Sequence, residues 1–191
     1  MSDMNCHFEP FQPLLTHDVL AQKGIALEVR QPSDALKGIV HSYLQITTTK
    51  PTQYIIMPDG MEAFYISPQG VKVSRVLDRA VELDIKVPDQ YFGIRFYAGG
   101  LNRFFKTKAD CFSSEVYDAS EVFKEALNLH APLYQCSDFS LRADFCDNWL
   151  INKLTVEKGG NFRLLSPIFM AKVVYPRLAI YRGLLVLVAD S

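Results

Sequence analysis

The chain has 191 residues, of which 49% are hydrophobic and 12% aromatic, and a formal net charge of −1. That apolar supply suits one packed domain with a modest appendage and excludes a disordered chain. A charge so near zero excludes a body that holds nucleic acid or anionic lipid by electrostatics alone, although residues 161–191 carry four cations (Arg163, Lys172, Arg177 and Arg182) against Asp190, a net +3 that leaves −4 for residues 1–160.

Residues 1–13 contain Asp3, Glu9 and two prolines, with neither a basic start nor an apolar run, so no secretory signal is read there. From Ile25 to Tyr97, short apolar or alternating runs are broken by turn residues, the pattern of antiparallel β-structure. Seven strands are predicted: Ile25–Val29, Ile39–Ile46, Gln53–Met57, Met61–Ser67, Val71–Leu77, Val81–Val87 and Tyr91–Tyr97. That number at regular spacing indicates a sandwich or barrel. Pro58-Asp59-Gly60 reads as a tight hairpin turn, because Asp and Gly tolerate positive φ. Pro68-Gln69-Gly70 reads as the next, and Pro88-Asp89 ends the sixth strand by removing a ladder donor.

Beyond Tyr97 the apolar period lengthens toward that of a helix. Gly99-Gly100 opens a short helical segment with Leu101, Phe104 and Phe105 on one face, and Asp118–Leu129 is predicted as a helix burying Val122, Phe123, Ala126 and Leu127. Ser137-Asp138 offers an N-cap to an amphipathic helix of about five turns, with Leu141, Phe145 and Trp149 in line and Cys146, Leu150 and Leu154 alongside. That face packs either on the sheet or on a second copy. A linker is predicted over Glu157–Asn161, a helix from Ser166-Pro167 that Pro176 kinks, and a further helix from Leu184 that the sequence does not finish. The most apolar stretch, Leu178–Ala189, is interrupted by Arg182 and Gly183 and falls short of the roughly 20 residues of a membrane span. No membrane partner is expected, and the expected location is the cytoplasm.

Three stretches in order resemble the N-terminal domain of a subgroup of AraC-type bacterial transcription regulators, over roughly residues 30–155. They are Ile39-Val40-His41-Ser42-Tyr43, Ile56-Met57-Pro58-Asp59-Gly60 and Gly93-Ile94-Arg95-Phe96-Tyr97-Ala98-Gly99-Gly100-Leu101. The third is the most specific, a Gly-apolar-Arg-Phe strand running into a glycine pair and a short helix. Ala98 stands where the family usually has proline, and Pro176 interrupts a helix expected to be continuous. The resemblance implies an α+β chain: a mainly antiparallel cupin-like β-barrel or sandwich followed by a C-terminal helical segment. Residues 1–115 would form the sensory barrel, 116–160 a helical dimerisation segment, and 161–191 a linker and first helices leading into a helix-turn-helix part. Residues 182–191 resemble the opening of the first such motif, and the sequence stops before a recognition helix. The implied partners are a second copy in a homodimer, a small-molecule effector of unknown identity, and DNA only through the helix-turn-helix part.

A cupin-like barrel invites a metalloenzyme reading, but of His7, His17, His41 and His130 only His41 falls on a predicted strand. No HxH pair exists, so neither a metal site nor a cofactor is expected. The four cysteines, Cys6, Cys111, Cys136 and Cys146, show no CxxC spacing. There is no GxSxG elbow, P-loop or GxGxxG, and Asp59, Glu62, Asp78, Glu82 and Asp84 are not spaced as an acid and base pair. Arg95 stands out in an apolar strand whose alternation sets Phe92, Ile94 and Phe96 against Tyr91, Arg95 and Tyr97. It is solvent-facing, paired with a carboxylate such as Asp59 or Glu62, or aimed at an acidic ligand. Candidate ligand-binding residues are Tyr54, Phe64, Tyr65, Phe92, Arg95, Phe96 and Tyr97, because small-molecule sites are mostly apolar; the same aromatics equally fill a small barrel. The expectation is a non-enzymatic regulatory domain, with a small cupin-like enzyme and a stand-alone small-molecule binding module as alternatives.

Overall fold

The computed structural model describes residues 12–105 and 116–154. The expected linker, the kinked helix and the helix-turn-helix opening lie outside these residues, as do His7, Cys6 and Cys111. Eight strands are present: β1 (Ile25–Arg30), β2 (Val40–Thr48), β3 (Thr52–Ile56), β4 (Glu62–Ser67), β5 (Gly70–Ser74), β6 (Val81–Ile85), β7 (Gln90–Phe96) and β8 (Val116–Asp118). Helices α1 (His17–Gln22), α2 (Ala119–Val122), α3 (His130–Gln135) and α4 (Phe139–Lys153) complete the regular structure, with single 3-10 turns at Asp34–Leu36 and Leu101–Arg103 and a longer one at Lys124–Leu129. The chain is thus α+β, as its patterning implied. Among the described residues no helix is long and apolar enough to cross a membrane.

The strands form two open antiparallel sheets and not a closed barrel. Six of them run in the order β1-β2-β7-β4-β5-β8, while β3 and β6 pair only with each other. Pro68-Gln69 makes the expected hairpin, closing β4 onto β5 with Ser67 opposite Gly70. Pro58-Asp59-Gly60 does not, because β3 and β4 belong to different sheets. There Gly60 supplies a φ of +78°, and the Asp59 Oδ1 accepts a hydrogen bond from the Met61 N–H at 3.0 Å. The turn chemistry was legible, but it carries the chain across the molecule instead of folding it back.

Strand alternation divides the six-stranded sheet into two buried faces. On one, Tyr43, Phe64, Ile66, Phe92, Ile94 and Phe96 join Leu129, Leu133, Ala143 and Leu150 of the helical side in one core. On the other, Ile25, Leu27 and Ile46 meet Tyr54, Ile56 and Ile85 of the two-stranded sheet in a second core. Both faces of β4 and β7 are therefore covered, which is why these strands read as near-continuous apolar runs.

Two helix expectations are corrected. Asp118–Leu129 is not one helix: β8 extends to Asp118, whose carboxylate caps the four-residue α2 by accepting from the Ser120 N–H at 2.9 Å. Phe123 then leaves helical geometry (φ −133°, ψ 68°) and turns its ring onto Phe105, centroids 4.7 Å apart. The predicted cap at Asp138 is present, accepting from the Leu141 N–H at 2.9 Å. The inward face of α4 includes the expected Cys146 and Leu150, with Phe145, Trp149 and Leu154 packed beside it, but it is completed by Phe139, Arg142 and Ala143, and Leu141 is 59% exposed. The rotation follows from Arg142. Its Nε donates to the carbonyls of Leu133 (2.9 Å) and Cys136 (2.7 Å), and its Nη1 to Gln45 Oε1 on β2 (2.6 Å).

Candidate functional site

A cavity of about 570 Å³ lies between the two-stranded sheet and the face of the six-stranded sheet opposite the helices. Its walls are mostly apolar. Leu44 and Ile46 come from β2, Ile56 from β3, Leu83 and Ile85 from β6, and Leu77 from the preceding loop. Gly93 of β7 forms part of the floor between Leu44 and Tyr65, its partners in the neighbouring strands. A Cβ there would meet Leu44 Cδ1 at 2.9 Å, so the missing side chain is what lets Leu44 lie flat against the sheet.

The polar groups gather around Arg95, which is 9% exposed. Of the two carboxylates its sequence setting allowed, Arg95 takes Asp59, in a buried ion pair between Nη2 and Oδ2. Asp59 also accepts from Gln12 Nε2 at 2.9 Å. Gln12 donates a second bond, to the Met57 carbonyl, at 2.9 Å; with its nitrogen committed to two acceptors, its Oε1 is left buried and without a partner among the described residues. Glu62, on the other face of the sheet, binds Arg75 (2.7 Å) and accepts from the Leu101 N–H (3.0 Å). Burial pushes its carboxyl upward in pKa, against the pull of Arg75.

His41 owes its place to a β-bulge. Val40 lies opposite Phe96 and Ser42 opposite Arg95, so His41 is an extra residue in β2. Its Nδ1 lies 2.8 Å from Ser42 Oγ, and its ring meets Tyr97 edge-on at 5.5 Å. Burial, helped by the Arg95 charge, holds the imidazole down at about 4. Tyr54, 8% exposed, lines the cavity, and its hydroxyl makes no hydrogen bond to the described residues. The Tyr65 hydroxyl is 3.1 Å from Ser74 Oγ, and burial pushes it up to about 12.

The candidate residues named from sequence therefore divide. Tyr54, Tyr65 and Arg95 present their side chains to the cavity. Phe64 and Phe92 border it only as members of the sheet, since their side chains, with that of Phe96, sit in the helix-side core. Tyr97 follows the end of β7 and meets His41 edge-on outside the cavity. Gln12, Leu83 and Ile85 were not anticipated as lining residues. Gln12 lies in a segment with no periodicity, so nothing local marks it. Among the described residues no group of three His, Cys, Asp or Glu is placed to hold a metal ion.

The three sequence stretches singled out above contact one another. Arg95 of the third reaches Asp59 of the second, the Tyr97 N–H donates to the Ile39 carbonyl of the first at 3.0 Å, and Gly100 packs against that same carbonyl. No curated protein and no solved structure matches the chain. Residues 28–118, from within β1 to the last residue of β8 and so the whole of the strand framework around the cavity, match the family model described as Domain of unknown function (DUF6597).

Proposed function

We propose that this chain is the effector-sensing and dimerisation part of an AraC-type transcription regulator, working in the cytoplasm and performing no chemistry itself. The observation that carries this reading is the cavity of about 570 Å³, within the range of about 300–1,000 Å³ usual for small-molecule sites. Its one carboxylate in the polar cluster is committed to Arg95, Gln12 and the Met61 N–H, which suits binding better than proton transfer. The three resembling stretches contact one another, through Arg95 and Asp59 and through the Tyr97 N–H and the Ile39 carbonyl, which supports the reading. Contact with DNA would fall to a helix-turn-helix part, and the basic balance of residues 161–191 fits a neighbour of such a part.

Two measurements test the reading. Light scattering on the purified chain is expected to give a dimer mass. Fused to a DNA-binding domain that acts only as a dimer, the chain is expected to repress a reporter. A strict monomer with a silent reporter sinks the regulator reading. If such a monomer still gains melting temperature with a small molecule, the stand-alone binding module replaces it. Stoichiometric metal in the purified protein would instead favour a cupin-like enzyme.

A further inference from the structure

We propose that the cavity takes an uncharged, largely apolar molecule bearing one hydroxyl, of the chemical class of alkylphenols, with its hydroxyl at the Tyr54 end beside the Arg95–Asp59 pair. The inference rests on reading the cavity as an effector pocket and adds to it the chemistry of the effector. An arginine in a pocket ordinarily suggests an anionic ligand. Here the charge is already met by Asp59. That carboxylate is itself held by Gln12 Nε2 and the Met61 N–H, so an incoming anion would have to displace a saturated group or lie beside it. Both outcomes bury a second negative charge against the first. Lys72 and Lys86 also border the cavity, but both are exposed, where water and salt weaken their hold on an anion.

What the polar cluster lacks is a neutral partner. Tyr54, whose hydroxyl makes no hydrogen bond to the described residues, lines the same cavity as Arg95 and Asp59. A ligand hydroxyl both donates and accepts, so it satisfies Tyr54 without a net charge. The remaining wall, Leu44, Ile46, Ile56, Leu77, Leu83 and Ile85, demands an apolar body.

Isothermal titration with 4-hexylphenol and 4-hexylbenzoate at pH 7.5 compares a neutral hydroxyl with an anion on the same tail. The phenol is expected to bind at least about tenfold more tightly, as a buried unpaired carboxylate is strongly penalised. Tyr54→Phe should weaken the phenol by about fivefold, the worth of one hydrogen bond. Leu83→Trp, which fills the cavity, should abolish binding while the fold, followed by near-ultraviolet circular dichroism, is kept; Ala63→Leu fills it from the facing sheet if that variant does not fold. Benzoate binding as tightly as the phenol overturns the neutral class but leaves the pocket reading standing. Phenol binding that survives both filling variants overturns the site. Failure of both probes to bind the folded native chain overturns the proposed ligand class, whereas the effector-sensing reading itself stands or falls on the dimer mass and the reporter.

Discussion

Asp59 and Arg95 are each buried, and among the described residues each is the other's only oppositely charged partner in the cavity cluster. Breaking such a pair costs more than forming it gains, because the survivor keeps its charge without compensation. Arg95→Met or Asp59→Leu alone is therefore expected to destabilise the chain by about 3–5 kcal/mol in urea unfolding, and the double variant by less than either. A double variant as unstable as the sum of the singles would show that the two groups act independently. His41 gives the residue scale its pH dependence. Its folded pKa, about 4, lies below the ordinary 6.5, so the unfolded chain binds more protons between those values. The stability this contributes is fully present above about pH 6.5 and is lost as pH falls through about 4, by up to about 3 kcal/mol. Glu62 has the opposite sign: its raised pKa means its contribution is present below the ordinary carboxyl range and declines as pH rises. His41→Gln should flatten the profile between pH 4 and 6.5; an unchanged slope in that window would assign it to other groups.

At the scale of elements, Gly100 shows why the third sequence stretch has the form it does. A Cβ at that position would stand 2.7 Å from the Ile39 carbonyl and 2.8 Å from the Tyr97 carbonyl, both backbone atoms. Neither can swing aside as a side-chain tip does, so Gly100→Ala is expected to cost about 1–3 kcal/mol, seen as a lower urea midpoint with unchanged m-value. Arg142→Met should cost about 3 kcal/mol by stranding the carbonyls of Leu133 and Cys136 and the Gln45 amide oxygen, and should loosen α4 first, as read by hydrogen exchange. These two residues mark the boundary of what the sequence discloses. All seven strands anticipated from alternation are present, because period-two patterning is local and survives any tertiary arrangement. β8 escaped because it has only three residues, too few for a period to show. On α4 the expected Cys146 and Leu150 are buried and Phe145, Trp149 and Leu154 pack beside them, but Arg142 was missed, because an arginine reads as solvent-facing until its acceptors are known, and those come from residues as far away as Gln45. Likewise, alternation correctly separated Arg95 from Phe92 and Phe96, but it could not say which face met helices and which met the other sheet. That choice depends on β3 pairing with β6, a non-local contact that no spacing records.

At the scale of the whole molecule, the two layers against the six-stranded sheet are unequal. The helical side is tied down by polar anchors as well as apolar contact. Tyr43 donates its hydroxyl to Asp147 of α4 at 2.7 Å, and Arg142 reaches Gln45. The two-stranded sheet has five register pairs and no ladder to the larger sheet. A two-stranded sheet is marginal by itself, so β3 and β6 are held mainly by Tyr54, Ile56 and Ile85 packing into the second core, around a cavity that removes part of that packing. Their amides should therefore open at a lower free energy than those of β2 and β7, by about 2 kcal/mol or more, in native-state hydrogen exchange. An occupant of the cavity would replace the missing contacts and bind the closed form alone. At a hundred times its dissociation constant it should raise that local opening energy by about 2.7 kcal/mol, closing the gap to the larger sheet. Equal protection of the two sheets before ligand is added would mean that β3–β6 is no separate opening unit. Equal gains throughout the chain on binding would mean that the ligand is released only by global unfolding. A gain concentrated in Thr52–Ile56 and Val81–Ile85 would instead make the small sheet the element whose closure the ligand controls. Because β4 and β7 carry the cavity on one face and the helical core on the other, that closure presses on the strands against which the helices rest.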